Sequence, residues 1–380
     1  MFTANHGRMT DDPRLTSPRF TPLAASLPAT VPFVGPEAQE RQRGQPFTAR
    51  LGANENAFGP SPDAITAMQN AAHDAWKYPD PDMYDLRHAI AAHHGCDPAH
   101  IMPGEGIDGL LGLITRLFIG PGDHVVTSAG AYPTFNFHVA GFGGTLHAIA
   151  YTGNYEDPAR LIARARETRA KLIYIANPDN PMGSHHGADT IARMVDNVPP
   201  GCLLLLDEAY IDLAPPATSP ALDPTDPRVI RLRTFSKGYG LAGARVGYAI
   251  GAAPLIQAFH KVRNHFGLSR MAQAGAMAAL ADQDWLTHVQ TEVVIARASI
   301  ARIARANGLT PLPSATNFVT IDCGRDGSYA RAILTALLAQ GIFIRMPFVA
   351  PHDRCIRVSC GTAAQLATFA AALPVALTSL

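Results

Sequence analysis

Between residues 124 and 250, six short apolar runs alternate with stretches patterned as helices, and this alternation restricts the chain more than any other feature. The runs are His124–Ser128, Thr145–Ala150, Lys171–Ala176, Cys202–Leu206, Val229–Thr234 and Arg245–Ile250. Amphipathic stretches such as Asp157–Thr168 and Ala188–Asn197 lie between several of them. Strands that are apolar throughout need cover on both faces, and crossover helices between successive strands supply it. The pattern predicts an α/β fold with a mainly parallel sheet covered by helices. Leu203–Leu206 alone reads equally as helix; Pro199, Pro200 and Gly201 before it and Asp207 after it favour a short central strand.

Helical spacing precedes this region. Ile65, Met68, Ala72 and Trp76 predict one helix from about Asp63, Leu86 and Ile90 a second over 82–94 stopped by Gly95, and Leu110, Leu111, Ile114 and Leu117 a third from Asp108. From about Arg270 an Ala-rich helical region, Met271–Ala306, is followed by strand candidates Phe318–Asp322, Ile342–Arg345 and Cys355–Ser359, with a helix over Ser328–Gln340. The reading is therefore an arm (1–47) that packs on the small domain or a partner subunit, a large domain (48–270) and a smaller α/β domain (271–380).

Composition narrows the function classes. Lys plus Arg equal Asp plus Glu at 31 each, which argues against a nucleic-acid or anionic-membrane partner and for small molecules or a second copy of the chain. Five cysteines without CxxC spacing fit reduced thiols in a cytoplasm. Residues 1–20 contain Asp11 and Asp12 and no apolar run, so no signal peptide is expected. No stretch reaches the roughly 18–20 apolar residues of a spanning helix.

In parallel sheets, ligands bind beyond the carboxyl ends of the strands. Asn177-Pro-Asp-Asn-Pro-Met-Gly183 follows one run, Asp207-Glu-Ala-Tyr210 the next, and Phe235-Ser-Lys-Gly-Tyr-Gly-Leu-Ala-Gly-Ala-Arg245 the one after. Gly104-Glu-Gly-Ile-Asp108 opens the third helix, and Tyr132-Pro-Thr-Phe135 follows His124–Ser128. With Leu51-Gly-Ala-Asn-Glu-Asn56, Gly59-Pro60 and Ile356-Arg-Val-Ser-Cys-Gly-Thr362, these segments resemble the fold-type-I aminotransferases, most closely the histidinol-phosphate aminotransferase family. The resemblance runs from about Leu51 to Thr362. Each motif alone is weak; the order Asn180, Asp207, Tyr210, Lys237, Arg245 is specific.

The resemblance implies the fold of pyridoxal-phosphate-dependent transferases and that cofactor. Lys237 would hold its aldehyde and serve as general base. Asp207 would keep the pyridine nitrogen protonated, and Tyr210 and Asn180 would donate to the phenolic oxygen. Ser236, Arg245 and the backbone amides of Gly106, Ile107 and Asp108 at a helix start would bind the phosphate. Phe135 would stack on the ring, with Tyr132 a near alternative. Tyr78 would reach the neighbouring subunit's cofactor, which implies a homodimer with shared sites. Arg357, Arg345 and Asn54 would bind substrate, the two guanidiniums gripping a carboxylate or phosphate.

The chain departs from the family at Met182, where relatives carry Thr, at Asn264-His265 within Arg263–Ser269, and at Phe33, where no tyrosine is evident. The amino donor stays open between histidinol phosphate, an aromatic amino acid and another amino acid, with 2-oxoglutarate or another 2-oxo acid as acceptor. A lyase of the same fold, such as a decarboxylase of a phosphorylated amino acid, is an alternative. A cofactor-sensing regulator would need a DNA-binding segment that the first 47 residues lack. The pairs His93-His94 and His185-His186 have no companion ligands at metal spacing. The Gly238, Gly240, Gly243 stretch lacks the acidic residue of a dinucleotide fingerprint.

Overall fold

Leu203 and Leu205 pack into one hydrophobic cluster while Leu204 and Leu206 pack into another, so the strand they form is covered on both faces. The computed structural model describes residues 20–29 and 34–380, and the expectations for residues 1–19 and for Phe33 lie outside them. Among the described residues, the strands are β1 (Ala49–Arg50), β2 (Ile101–Gly104), β3 (His124–Ser128), β4 (Thr145–Ile149), β5 (Leu172–Ala176), β6 (Leu203–Asp207), β7 (Val229–Thr234), β8 (Gly247–Ile250), β9 (Thr310–Pro311), β10 (Phe318–Asp322), β11 (Ile342–Phe343) and β12 (Cys355–Ser359).

Strands β2 to β8 make one sheet in the order β2-β8-β7-β6-β5-β3-β4. From β4 through β7 the pairing is parallel. Strand β8 runs antiparallel to both β7 and β2. The cause is the connection: a parallel return needs a crossover of a dozen or more residues, normally a helix, and segment 235–246 is a loop with a single 3₁₀ turn. Strand β2 has no counterpart among the expected runs because Pro103 interrupts it; the sheet edge, where a missing N–H is tolerated, accommodates the proline.

The helix predicted through Trp76 ends at Ala72, leaving Trp76 80% exposed. The long region expected over Met271–Ala306 divides at Asp282 into Arg270–Ala281 and Gln283–Ala306. Asp282 accepts from Trp285 N at 3.0 Å and caps the second helix. The first helix buries Ala272, Ala276 and Ala279 in the core of the large sheet; the second buries Val289, Val293, Ala296 and Ile300 in the C-terminal core. The division between cores thus falls about one helix later than residue 270.

In the C-terminal unit, β12, β10 and β9 form an antiparallel sheet. Strand β11 pairs instead with β1, in parallel. Residues 34–47 of the arm pack here: Phe47 lies 5.2 Å from Phe343 ring to ring, and Glu37 and Glu40 both pair with Arg50.

Candidate active site

The carboxyl ends of β5, β6 and β7 open into a cavity of about 460 Å³. Its wall includes Asn54, Ile107, Asp108, Asn180, Asp207, Tyr210, Ser236, Lys237, Arg245 and Arg357. Ten of the expected residues therefore meet in one space although they come from segments 300 residues apart.

One end is dry. Asp207, the last residue of β6, is 4% exposed; it accepts from Tyr174 Oη at 2.6 Å and from Ala209 N at 2.9 Å. Among the described residues no cation pairs with it. Burial raises its carboxyl to about 6, against the two hydrogen bonds that hold it down. A buried, unneutralised carboxylate facing a cavity invites a cationic ligand group.

Lys237 stands in the middle. Its Nζ donates to Asn54 O at 2.9 Å and lies 5.6 Å from the centre of the Tyr210 ring. Burial, and secondarily the charge of Arg357, bring its amine down to about 8, so more of it is neutral and nucleophilic near physiological pH. Asn54 organises this region from a left-handed backbone conformation (φ 55°). Its Nδ2 donates to Tyr210 Oη at 3.2 Å, its Oδ1 accepts from Ser359 Oγ at 2.9 Å, and its carbonyl receives the lysine. Burial raises the Tyr210 phenol to about 12, so it stays a donor.

The other end is built for an anion. The helix Gly106–Phe118 begins here, with its free N–H groups and positive dipole end at the cavity. Gly106 has φ 74°, and a Cβ on it would stand 2.5 Å from Arg245 Nη2; only glycine leaves room for that guanidinium. Arg245 Nη2 lies 3.7 Å from Asp108 Oδ2, and both side chains are nearly half exposed. Ser236 Oγ lies 2.9 Å from Thr234 Oγ1, whose single hydroxyl proton also faces Val246 O at 3.1 Å.

Arg357 donates to the Asn180 side-chain oxygen and, at 3.3 Å, to Gly52 O. Burial lowers its guanidinium to about 10, still cationic at neutral pH. Arg345 bridges backbone to backbone with Arg357 and donates to Val34 O. It lines a second chamber of about 200 Å³ that shares Tyr132, Asn180 and Arg357 with the first.

Phe135 is a correction. It is fully buried in the core and stacks on Tyr174 at 4.7 Å, behind the cavity wall; Tyr132 and Tyr174 are the aromatic rings that line the space with Tyr210. Tyr132 caps the helix Pro133–Gly141, so Phe135, three residues on, turns inward. Tyr174 was missed because it sits inside the apolar run Leu-Ile-Tyr-Ile-Ala, where one polar atom on the cavity side leaves no sequence signal. Tyr78 lies away from the cavity, 76% exposed and stacked on Phe266 at 4.7 Å. The departing segment Arg263–Ser269 does not line the cavity: Phe266 stacks on Tyr78, and the Glu105 carboxylate fills the space beside Gly267. Gly240 serves packing: its Cβ would stand 2.5 Å from Gly59 O. His94 shares a 2.9 Å hydrogen bond with Tyr248, a core role.

Residues 48–373 match the family model of the aminotransferases of class I and II. The chain belongs to this family. It is an enzyme, an aminotransferase, and it is similar over nearly its whole length to histidinol-phosphate aminotransferases. That of Moorella thermoacetica is 32% identical over 98% of this chain and 97% of its own length. That of an Anaeromyxobacter species is 35% identical over 90% and 95%. The crystal structure of histidinol-phosphate aminotransferase from Sinorhizobium meliloti, in complex with pyridoxal-5'-phosphate, is 52% identical, superposes with a TM-score of 0.93 and covers 96% of this chain and 99% of that one. Among the described residues no helix is long and apolar enough to cross a membrane.

Proposed function

We propose that this aminotransferase binds pyridoxal 5'-phosphate at Lys237 and moves the amino group of histidinol phosphate to a 2-oxo acid such as 2-oxoglutarate. The observation that carries the reading is the convergence of the Lys237 amine and the Asp207 carboxylate on one cavity whose far end offers helix amides, Ser236 and Arg245. The donor set fits each part of the cofactor. Asp207 is a buried carboxylate with no cation paired to it among the described residues, suited to a protonated ring nitrogen; the Arg245 guanidinium, packed against Gly106 at the helix start, stands beside the helix amides as a cation for a phosphate.

When bound, the cofactor supplies the electron sink that makes the substrate Cα–H acidic. Lys237 Nζ takes that proton, its lowered basicity matched to repeated proton transfer near neutral pH. Asp207 holds the ring nitrogen's proton in a low dielectric, and Tyr210 donates to the ring oxygen. Tyr132 and Tyr174 bound the ring space and exclude water. Arg357 grips an acidic group of the substrate, and Arg345 in the adjoining chamber offers a second cation, which suits a phosphorylated donor.

The enzyme works as a homodimer with shared sites. Tyr78 and Phe266 are exposed and stacked on each other, an aromatic surface of the kind that partners cover. Five free cysteines support a reducing, cytoplasmic setting. The test is a panel of donors (histidinol phosphate, phenylalanine, tyrosine, leucine) with 2-oxoglutarate. Histidinol phosphate is expected to have the highest kcat/KM by at least about tenfold, about 1.4 kcal/mol of transition-state binding. Preference for an aromatic donor overturns the substrate, and carbon dioxide release without glutamate overturns transamination.

A further inference from the structure

The carbonyl of Asn54 is occupied twice. Besides the Lys237 amine at 2.9 Å, it accepts Asn317 Nδ2 at 3.1 Å, and the same amide nitrogen reaches Glu55 O at 3.2 Å. Asn317 is 2% exposed and directly precedes β10. Two carbonyl acceptors face this end of its amide, so the nitrogen belongs there. Its Oδ1 is buried and, among the described residues, has no hydrogen-bond partner. An apolar residue of the same size would fill this space without that cost, so the donor is what the position uses.

Ser359 acts on the same residue from the next strand. Phe318 and Ser359 are partners in the β10–β12 ladder, and Cys360 N donates to Asn317 O at 2.7 Å. The end of that ladder therefore delivers both side chains to residue 54. Ser359 Oγ accepts from Asn54 N at 3.0 Å and donates to Asn54 Oδ1 at 2.9 Å, while Asn54 Nδ2 is committed to Tyr210. The left-handed backbone of Asn54 (φ 55°) costs energy in a residue with a side chain, and persists where its surroundings over-determine it. The two bonds to Ser359 do so and turn the carbonyl toward the amine.

The charges around Lys237 pull its amine in different directions. Arg357 and Arg245 disfavour the protonated form, Glu55 and Asp108 favour it, and all four act through space. The Tyr210 ring centre lies 5.6 Å away. The Asn54 carbonyl is the acceptor that gives the amine a fixed place, and a second donor on that oxygen competes for its lone pairs.

We propose that Ser359 and Asn317 are positioning residues for the Lys237 amine: Ser359 holds Asn54 in the turn that points its carbonyl at the amine, and Asn317 shares that carbonyl and loosens its grip. The proposal rests on the reading of Lys237 given above and adds what the C-terminal unit does to it. An amine gripped too firmly stays charged, and one without an acceptor has no set position from which to take the substrate's proton.

The full-length chain without cofactor provides the first test. A pulse of acetic anhydride at a series of pH values acetylates the neutral amine, and mass spectrometry of the Lys237 peptide gives the pH of half-maximal labelling, expected at about 8 in the unaltered protein. Ser359→Ala is expected to lower that pH by about one unit, the value of one hydrogen bond to a charged group. Asn317→Leu and Asn317→Ala, which leave Asn54 O to the amine alone, are expected to raise it by about half a unit. Ser359→Thr keeps the hydroxyl and is expected to leave it in place. Loss of packing alone would move the Ser359 and Asn317 variants the same way. A shift in the same direction for both, no shift in either, or Ser359→Thr as displaced as Ser359→Ala overturns the proposal. In the loaded enzyme, Ser359→Ala is expected to lower kcat about tenfold with KM for the amino donor within about threefold; a loss confined to KM overturns it too. Mixing with pyridoxal 5'-phosphate tests the underlying reading by itself. If Lys237→Ala and the unaltered protein give the same absorbance change, the reading of Lys237 falls, and the labelling still decides whether Ser359 and Asn317 place the amine.

Discussion

The two ends of the cavity hold charge in opposite ways. At the inner end, Asp207 is 4% exposed, has Tyr174 and one backbone amide for company, and is raised to about 6. At the helix end, the Arg245 and Asp108 side chains are 48% and 42% exposed and only 3.7 Å apart. A charge buried without a counter-ion is expensive for the empty protein and strong once a cation arrives; a charge at the rim is cheap and weak, and salt screens it. Chemistry that depends on the electronic state of a ring belongs at the dry end. Retention of a dianion by many modest contacts belongs at the wet one.

The sharpest way to break this contrast is Asp207→Asn. It should lower kcat about a hundredfold or more, since a neutral amide cannot hold the ring proton. In the cofactor-free protein the raised Asp207 carboxyl favours folding fully below about pH 4, and that contribution is lost as pH rises through about 6. Asp207→Asn should remove this slope and make the empty protein more resistant to denaturant at pH 7. Chemical melts between pH 4 and 8 check it; an unchanged slope would assign the cost of burial elsewhere.

At the wet end, Arg245→Ala should weaken cofactor binding about tenfold at low ionic strength and less as salt is added, with kcat at saturating cofactor little changed. Titration of the cofactor's absorbance at two salt concentrations measures it. A salt-independent loss would mean that this end is as dry as the other. The smallest effect is expected from Tyr174→Phe. Its hydroxyl lowers the Asp207 carboxyl, so its loss should move the acid limb of the activity profile to higher pH and cost about threefold in kcat at pH 7.

Much of this was legible in the sequence. Asp207 and Lys237 stand where apolar runs stop and Arg245 where the next one starts, and polar residues at strand ends have few other reasons to follow one another in that order. The two-sided sheet was readable from Leu203–Leu206 because its flanking residues arbitrate between helix and strand. The antiparallel turn of β8 was not, since a strand's direction depends on what its connector can span. Tyr132 and Phe135 are three residues apart at a helix start, and which ring faces the cavity is decided by how that helix docks. Glu156 reads as one more acid beside the helix cap Asp157, and only the closed chain shows it buried and accepting from Ala176 N at the end of β5.

Asn54 gives the architecture its last consequence. The carbonyl that parks the lysine amine belongs to a residue whose amide is oriented by Ser359, on the far unit's β12. The seven-stranded platform is therefore not a free-standing module: severed from its C-terminal unit, it would retain its leucine layers and lose the bracket that aims its nucleophile.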